Sequence, residues 1–245
     1  MKNQTLCNSP KERSSFSVGL FPSPIGKGVG GGEGGSCRGF SIRNYSLKEA
    51  LQLSDDEFIS VGFHPWHLTD IKEDEWTVLE YLSTKNHVIM IGEAGLDKLC
   101  DTDFGLQLTV FTRQAEIAQK VNKPLLIHCV KAWQEIMEIK DKLQLTIPCI
   151  IHGFRGKPEL AKSLLQHGFY LSFGERYNTE SLKITPLEQL CTETDESKIS
   201  IQSIYRQIAE DKGIDVQKLC QQANHIIVPL FLQKSAATYI DIHCH

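Results

Sequence analysis

Residues 238–245 read Thr-Tyr-Ile-Asp-Ile-His-Cys-His, a β-branched and aromatic run that predicts a strand ending in a His-x-His pair. Side chains alternate between the two faces of a strand, so His243 and His245 point to one face and Cys244 to the other. Asp241 shares the face of the two histidines, one step deeper. Two imidazoles side by side suit a divalent transition metal, and the rest of the chain must supply the other ligands.

Upstream of this stretch, strand-like and helix-like segments alternate, which is typical of repeated βα units and a parallel sheet. Strands are predicted at 40–45, 58–65, 87–94, 124–129, 146–152, 169–173, 187–195 and 238–245. Helices are predicted at 47–53, 73–83, 104–121, 133–143 and 156–168, with two more around 201–208 and 216–223. Eight strands with helices between them favour an α/β fold of the (β/α)8 TIM-barrel type, in which 238–245 supplies the strand that closes the barrel.

The first 39 residues differ in composition from the remainder. Residues 20–35 read LFPSPIGKGVGGGEGG, which is rich in glycine and proline and has no apolar period. Such a segment buries too little surface to offset its chain entropy, so residues 1–39 are predicted to be a disordered leader. The barrel domain is expected to span residues 40–245.

Composition limits the classes of protein that remain. The 245 residues carry a net charge of −4, which does not indicate a polyanion-binding surface. No run of eighteen apolar residues and no secretory signal is recognisable, so a cytoplasmic protein is expected. The eight cysteines lack paired spacing and are expected to be reduced thiols.

Metal-ligand residue types stand at five of the predicted strand ends, and a barrel brings those ends to one rim. They are Glu93, His128, His152, Asp195 and the pair His243 and His245. Each alone has a structural explanation, since a histidine often bonds a backbone carbonyl and an aspartate often caps a helix. Together they predict a metal site.

Six short motifs give the chain a resemblance to a known family. They are Gly62-Phe-His-Pro65, Ile91-Gly-Glu-Ala-Gly-Leu-Asp97, Pro124-Leu-Leu-Ile-His128, Ile151-His-Gly-Phe-Arg-Gly156, Thr192-Glu-Thr-Asp195 and Asp241-Ile-His-Cys-His245. Over about 40–245 the chain resembles the TatD-type metal-dependent deoxyribonucleases among the amidohydrolase-like barrels. The resemblance implies a (β/α)8 barrel that hydrolyses phosphodiesters, typically of DNA, with one or two divalent metals.

The resemblance also implies a role for each matching residue. His243 and His245 would hold one metal, Glu93 would bridge, and His128 and His152 would hold the second. Asp195 would bind metal and orient or deprotonate the attacking water, so Asp195 and Glu93 are the predicted catalytic residues. His64 would contact a substrate phosphate, and Lys131 and Arg155 are the other predicted substrate-binding residues.

The chain departs from the family pattern in its order and in some details. The His-x-His strand closes the chain instead of opening it, as if the sequence were circularly permuted by one strand. The carboxylate of His245 is then expected within bonding reach of the metal. The family's arginine two residues after His128 is Val130 here, with Lys131 beside it, and the usual proline after Asp195 is absent.

The residue types also support the chemistry directly. A divalent pair offsets the charge of a phosphodiester and lowers the pKa of a bound water, and several imidazoles favour Zn or Mn over Mg. The leading prediction is a nuclease acting on single-stranded DNA or DNA ends, with no protein or membrane partner indicated. Alternatives are a related amidohydrolase-type barrel that cleaves an amide, lactone or phosphomonoester, or an inactive permuted form.

Overall fold

The computed structural model describes residues 15–16, 42–195 and 197–222. Its strands form one eight-stranded sheet whose order follows the chain, from β1 to β8. All neighbours from β2 to β8 pair in parallel, whereas β1 pairs antiparallel with β2. The strands are β1 (Ser15–Phe16), β2 (Ile42–Tyr45), β3 (Ile59–Val61), β4 (Val88–Asp97), β5 (Leu125–Val130), β6 (Cys149–Ile151), β7 (Phe169–Phe173) and β8 (Leu190–Thr192).

Helices follow the parallel strands as the alternating pattern predicts. They are α1 (Leu47–Ala50), α2 (Glu73–Ser83), α3 (Phe104–Val121), α4 (Trp133–Lys142), α5 (Pro158–Gln166), α6 (Thr179–Ile184), α7 (Ile201–Lys212) and α8, which covers 216–222 within the described residues. Short 3-10 helices occupy Pro65–His67 and Leu187–Gln189.

Several elements are shorter than predicted, among them the strands predicted over 58–65 and 146–152, which are limited to Ile59–Val61 and Cys149–Ile151. Two further differences concern the strand before Asp195 and a helix after β7. The strand predicted over 187–195 is confined to Leu190–Thr192, because Pro186 leads into a 3-10 turn and Asp195 has a left-handed φ of 49°. Helix α6 was not predicted at all. Its six residues begin at Asn178, whose side chain accepts a hydrogen bond from the Ser181 backbone N–H, and they are too few to show an apolar period.

The core lies between the sheet and the helices. Every residue of β4 is buried, as expected for a central parallel strand covered on both faces. Gly95 lets β4 approach β5 closely, since a Cβ there would stand 1.8 Å from the carbonyl oxygen of His128. This close pairing holds the ends of β4 and β5, and the polar side chains they carry, next to each other.

The ends of the sheet bear on how the barrel closes. Residues 238–245, the predicted closing strand, lie outside the described residues, and within the described part of the chain the sheet ends at β8. Ser15 and Phe16 pair with Arg43 and Ile42 on the other edge, so this short part of the leader lies beside β2. The disorder predicted for the rest of the leader remains a prediction.

Two further expectations can be compared with the described residues. Cys100, Cys129, Cys149, Cys191 and Cys220 are all free thiols, as predicted. Among the helices of the described ranges, none is both long and apolar enough to cross a membrane.

Candidate metal centre

Polar side chains meet where the parallel strands end. His64 follows β3, Glu93 lies within β4 and His128 within β5, and His152 comes directly after β6. Glu193 and Asp195 follow β8. This is the rim at which barrels of parallel strands carry their chemistry.

Glu93 is the centre of the group. Its Oε1 atom lies 3.3 Å from His64 Nε2, 3.2 Å from His128 Nδ1 and 3.5 Å from His152 Nε2. Its backbone N–H donates to Asn44 Oδ1 at 2.9 Å, which ties it to β2. Burial opposes ionisation of the carboxyl, but the three histidines outweigh it and hold the pKa of Glu93 well below its usual value.

His64, Glu93 and His128 form the first group that could hold a metal ion. One ligand atom from each lies within 4.8 Å of the others. Burial lowers the pKa of His64, which favours the neutral imidazole. Its Nδ1 atom accepts a hydrogen bond from the Trp66 backbone N–H, so in the neutral ring the Nε2 atom carries the proton and faces Glu93 Oε1 as a donor. This tautomer suits His64 to donating a hydrogen bond to an oxygen.

His152, Glu193 and Asp195 form the second such group, with their ligand atoms also within 4.8 Å of one another. His152 Nδ1 lies 3.0 Å from Glu193 Oε1, and its Nε2 lies 3.8 Å from Asp195 Oδ2. Burial disfavours protonation of His152, yet Glu193, Glu93 and Asp195 together raise its pKa well above the usual value. The three carboxylates therefore favour positive charge in this group, either as a proton on His152 or as a bound cation.

The donor set fits divalent transition metals, because imidazole nitrogens and carboxylate oxygens are combined in each group. Glu193 supplies a further observation. Its Oε1 accepts from the Gly153 backbone N–H at 2.8 Å, but its Oε2 is buried and has no hydrogen-bond partner among the residues that the structure describes. A buried carboxylate oxygen without a partner is costly, and a cation at this position would satisfy it.

Asp97 supports the first group from behind. Its Oδ2 lies 3.4 Å from His128 Nε2 and accepts a hydrogen bond of 2.7 Å from the Trp66 indole. Burial alone would raise the pKa of Asp97, but these donors and the Leu99 backbone N–H lower it. A carboxylate that contacts the second nitrogen of a histidine orients the ring and selects its tautomer.

The structure brings together most of the residues that the sequence singled out. Glu93, His128, His152, Asp195 and His64 all lie at this centre. The side chains of Lys131 and Arg155 are exposed, and their contact with substrate stays a prediction. His243 and His245 lie outside the described residues.

Sequence reasoning missed Glu193 and Asp97. Both lie inside motifs that it quoted, but the predicted strand ended at residue 94, three residues before Asp97, and Glu193 was passed over for Asp195. The signal for Asp97 was its spacing, since residues 93, 95 and 97 of one strand face the same side. No local signal marks Glu193, because its partner His152 is 41 residues distant in the sequence, a gap that only the fold closes.

Comparison with known proteins gives a consistent result. A profile of the family described as TatD related DNase matches residues 36–232. The metal-dependent hydrolase YabD of Bacillus subtilis, whose function is uncharacterized, is 31% identical over 156 residues, which are 60% of this chain and 61% of YabD. The 3′-5′ ssDNA/RNA exonuclease TatD of Pantoea ananatis is 28% identical over 214 residues, 76% of this chain and 81% of that protein.

Solved structures show the same architecture. YJJV, a TatD homologue from Escherichia coli, superposes with a TM-score of 0.71 at 19% identity, over 78% of this chain and 85% of that one. At this identity the likeness establishes the fold, which is that of the predicted barrel class.

Proposed function

The chain belongs to the TatD related DNase family, and we propose that it is a divalent-metal-dependent phosphodiesterase that hydrolyses DNA. The proposal rests on the geometry around Glu93. The same Oε1 atom that contacts His64 and His128 lies 3.5 Å from His152 Nε2, so one carboxylate joins the two groups of ligands. Two adjacent cation sites that share a carboxylate are the arrangement that clamps both oxygens of a phosphoryl displacement.

When bound, divalent ions offset the negative charge of the phosphodiester, lower the pKa of water and stabilise the leaving oxygen. The protein's part is to hold the ligands and to move a proton. We assign Glu93 and His128 to one ion and His152, Glu193 and Asp195 to the other, with His243 and His245 as further ligands. Zn, Mn and Mg are the candidate ions, and the imidazoles favour the first two.

Asp195 is the proposed general base. Its side chain is 25% exposed, whereas that of Glu193 is 1% exposed, so water reaches Asp195 more readily. The Asp195 carboxylate would accept the proton of the attacking water as the new P–O bond forms and the P–O bond to the leaving sugar oxygen breaks, and that oxygen would take up a proton from solvent. Glu93, which is buried and ionised, would hold His128 and His152 in position through the reaction.

The proposed substrate is single-stranded DNA or a DNA end. The support is the Pantoea relative, which carries the name of a single-stranded DNA and RNA exonuclease. Lys131 and Arg155 are exposed cations, and we propose that they contact the phosphates on either side of the phosphate that reacts. His64 is proposed to contact the reacting phosphate itself. A cytoplasmic location is proposed with it.

The proposal is tested by measuring bound metal per chain and nucleotide release from single-stranded DNA for the full-length protein and two variants. Asp195→Asn should keep much of its metal yet lose at least about 100-fold in rate, because a general base contributes about 100- to 10,000-fold. Asp141→Asn, an exposed aspartate in α4, is the matched control and should resemble the unaltered protein.

Three outcomes separate the alternatives. Metal with DNA cleavage that depends on Asp195 supports the proposal. Metal without cleavage would contradict it and favour a barrel hydrolase that acts on an amide, lactone or phosphomonoester. A chain that takes up neither Zn, Mn nor Mg would instead correspond to the inactive permuted form.

A further inference from the structure

Trp66 is an exposed aromatic side chain at the edge of the metal centre. Its side chain keeps 46% of its surface exposed, whereas Trp76 is 6% exposed. The indole centroid lies 4.8 Å from the His64 ring and 5.6 Å from the His128 ring, edge to face in both cases. A large apolar ring is therefore presented to solvent beside the residues proposed to bind metal.

The indole is held in a defined position. Its Nε1–H donates to Asp97 Oδ2 at 2.7 Å, and the Trp66 backbone N–H donates to His64 Nδ1 at 3.2 Å. Asp97 itself is fixed by Gln107, whose side chain accepts from the Asp97 backbone N–H at 2.7 Å and donates to its carbonyl oxygen at 3.0 Å. The indole N–H of Trp66 is thus already hydrogen-bonded, so a ligand can interact with this side chain only through the aromatic ring.

Leu99 is a second exposed apolar residue bound to the same carboxylate. It is 66% exposed, and its backbone N–H donates to Asp97 Oδ1 at 2.8 Å, so one carboxylate positions both residues. On its other side Trp66 lies next to the imidazoles and carboxylates of the metal centre. A ligand that fits both parts carries a phosphate on one side and a flat aromatic group on the other.

We propose that Trp66 is the platform on which a base of the substrate stacks, next to the phosphodiester that is cut. This inference rests on the proposed function and specifies the substrate as an unpaired nucleotide. In a duplex each base is already stacked on its neighbours, whereas a base in a single strand or a frayed end offers a free face. Every base can stack on an indole ring, so Trp66 would favour single-stranded over double-stranded DNA without favouring a particular base sequence.

The test compares Trp66→Ala, Trp66→Phe and Tyr81→Ala on two single-stranded substrates. Tyr81 is 53% exposed on α2 and is the matched control for loss of an exposed aromatic ring. One substrate is a short oligothymidylate, and the other replaces the terminal nucleotides by abasic residues that keep the phosphates. Values of KM and kcat are measured with the metal-loaded protein, and metal per chain is measured for each variant.

For the unaltered protein, removing the terminal bases should raise KM about 10-fold, a typical effect of losing base stacking on an aromatic ring. Trp66→Ala should raise KM on the oligothymidylate by a similar factor and should no longer distinguish the two substrates. Trp66→Phe retains a ring but loses the bond to Asp97, so it should retain most of the discrimination. Tyr81→Ala should behave as the unaltered protein does.

The inference is overturned if the unaltered protein treats both substrates alike, or if Trp66→Phe loses as much discrimination as Trp66→Ala. The second result would mean that Trp66 acts through Asp97 and His128 and not through its ring. Binding of the same labelled oligonucleotides to the metal-free protein, followed by fluorescence anisotropy, separates this failure from that of the proposed function. If the protein binds the base-containing strand more tightly but does not cleave it, base stacking on Trp66 is supported and the nuclease function is rejected. If it cleaves DNA but binds both strands equally, the nuclease function is supported and base stacking on Trp66 is rejected.

Discussion

Glu193 shows how a single side chain can connect two roles. It contacts His152 Nδ1 at 3.0 Å through Oε1, and its Oε2 is buried with no hydrogen-bond partner in the described part of the chain. The first contact orients the imidazole, and the second oxygen remains free to bind a cation. Removing its charge should therefore weaken metal binding even if His152 stays in place.

Replacing Glu193 by glutamine keeps the size of the side chain and its bond from Gly153 but removes the negative charge. We expect metal affinity to fall about 10- to 100-fold or more, the range seen when a partner of a metal-binding histidine is lost. Competition with a chromophoric chelator measures this. Glu188→Gln, an exposed glutamate on the turn before β8, is the control, and equal affinities in the two variants would contradict the assignment.

The protonation of His152 gives a prediction about the metal-free protein. Burial disfavours its charged form, but Glu193, Glu93 and Asp195 outweigh burial and raise its pKa well above 6.5. A raised pKa in the folded state means that His152 contributes stability fully below 6.5 and loses it as the pH rises through the folded-state value. Urea unfolding of the chelator-treated protein and of His152→Gln should therefore differ most at low pH.

That difference in the free energy of unfolding should shrink steadily as the pH is raised. Glu93 works in the opposite direction, since its lowered pKa contributes stability above 4.5 that is lost as the pH falls through the folded-state value. The two effects keep the metal-free centre most stable between these limits. A difference between the two proteins that grew with rising pH would show that His152 is neutral in the folded state.

At the scale of elements, α3 positions two strand ends with two buried glutamines. Gln107 bonds the backbone of Asp97, and Gln114, two turns later, accepts from the Phe63 N–H at 2.7 Å and donates to the Phe63 carbonyl at 3.1 Å. Both side chains are fully buried. The helix thereby fixes Asp97 at the end of β4 and His64 just after β3.

Gln114→Leu should leave the Phe63 N–H and C=O buried without partners. Each such group costs about 1–3 kcal/mol, so the free energy of unfolding should fall by at least that amount. The rate of nucleotide release from single-stranded DNA should fall as well, because His64, the proposed contact of the reacting phosphate, follows directly on Phe63. Gln166→Leu, the same change at an exposed position in α5, is the control, and chemical denaturation of both variants gives the comparison.

The same elements show what the sequence alone could predict. The long apolar run of β4 and the regular spacing of α3 predicted their positions well, because periodicity is a local property. Helix α6 has six residues and no clear period, and the short β8 depends on Pro186 and on pairing with β7. Glu93 and His128 were recognised from strand ends, whereas the use of Gln114 and Glu193 depends on contacts 51 and 40 residues apart along the chain.

At the scale of the whole molecule, a barrel requires the two edges of the sheet to be joined. Seven parallel strands from β2 to β8 carry the described part of the metal centre, and Ser15–Phe16 pairs with one edge of β2. Closure requires a strand between β8 and β2, and because β1 pairs with the outer edge of β2, that strand would have to take the place of β1 there. Edges left open favour association between chains. The predicted strand at 238–245 would meet this need and would bring His243 and His245 to the same rim as Glu93.

The double variant His243→Ala/His245→Ala tests this closure. If the two imidazoles join the centre, the variant should bind fewer ions per chain than the unaltered protein and should lose DNA cleavage, because the first ion would keep only the ligands from β4 and β5. Cys244→Ala is the matched control, since alternation along a strand turns residue 244 to the opposite face. It should keep both metal and activity. Equal metal content in the double variant and in Cys244→Ala would mean that the described residues bind the ions without the terminal strand, and Glu93, His152 and Glu193 would then be the ligands on which binding depends.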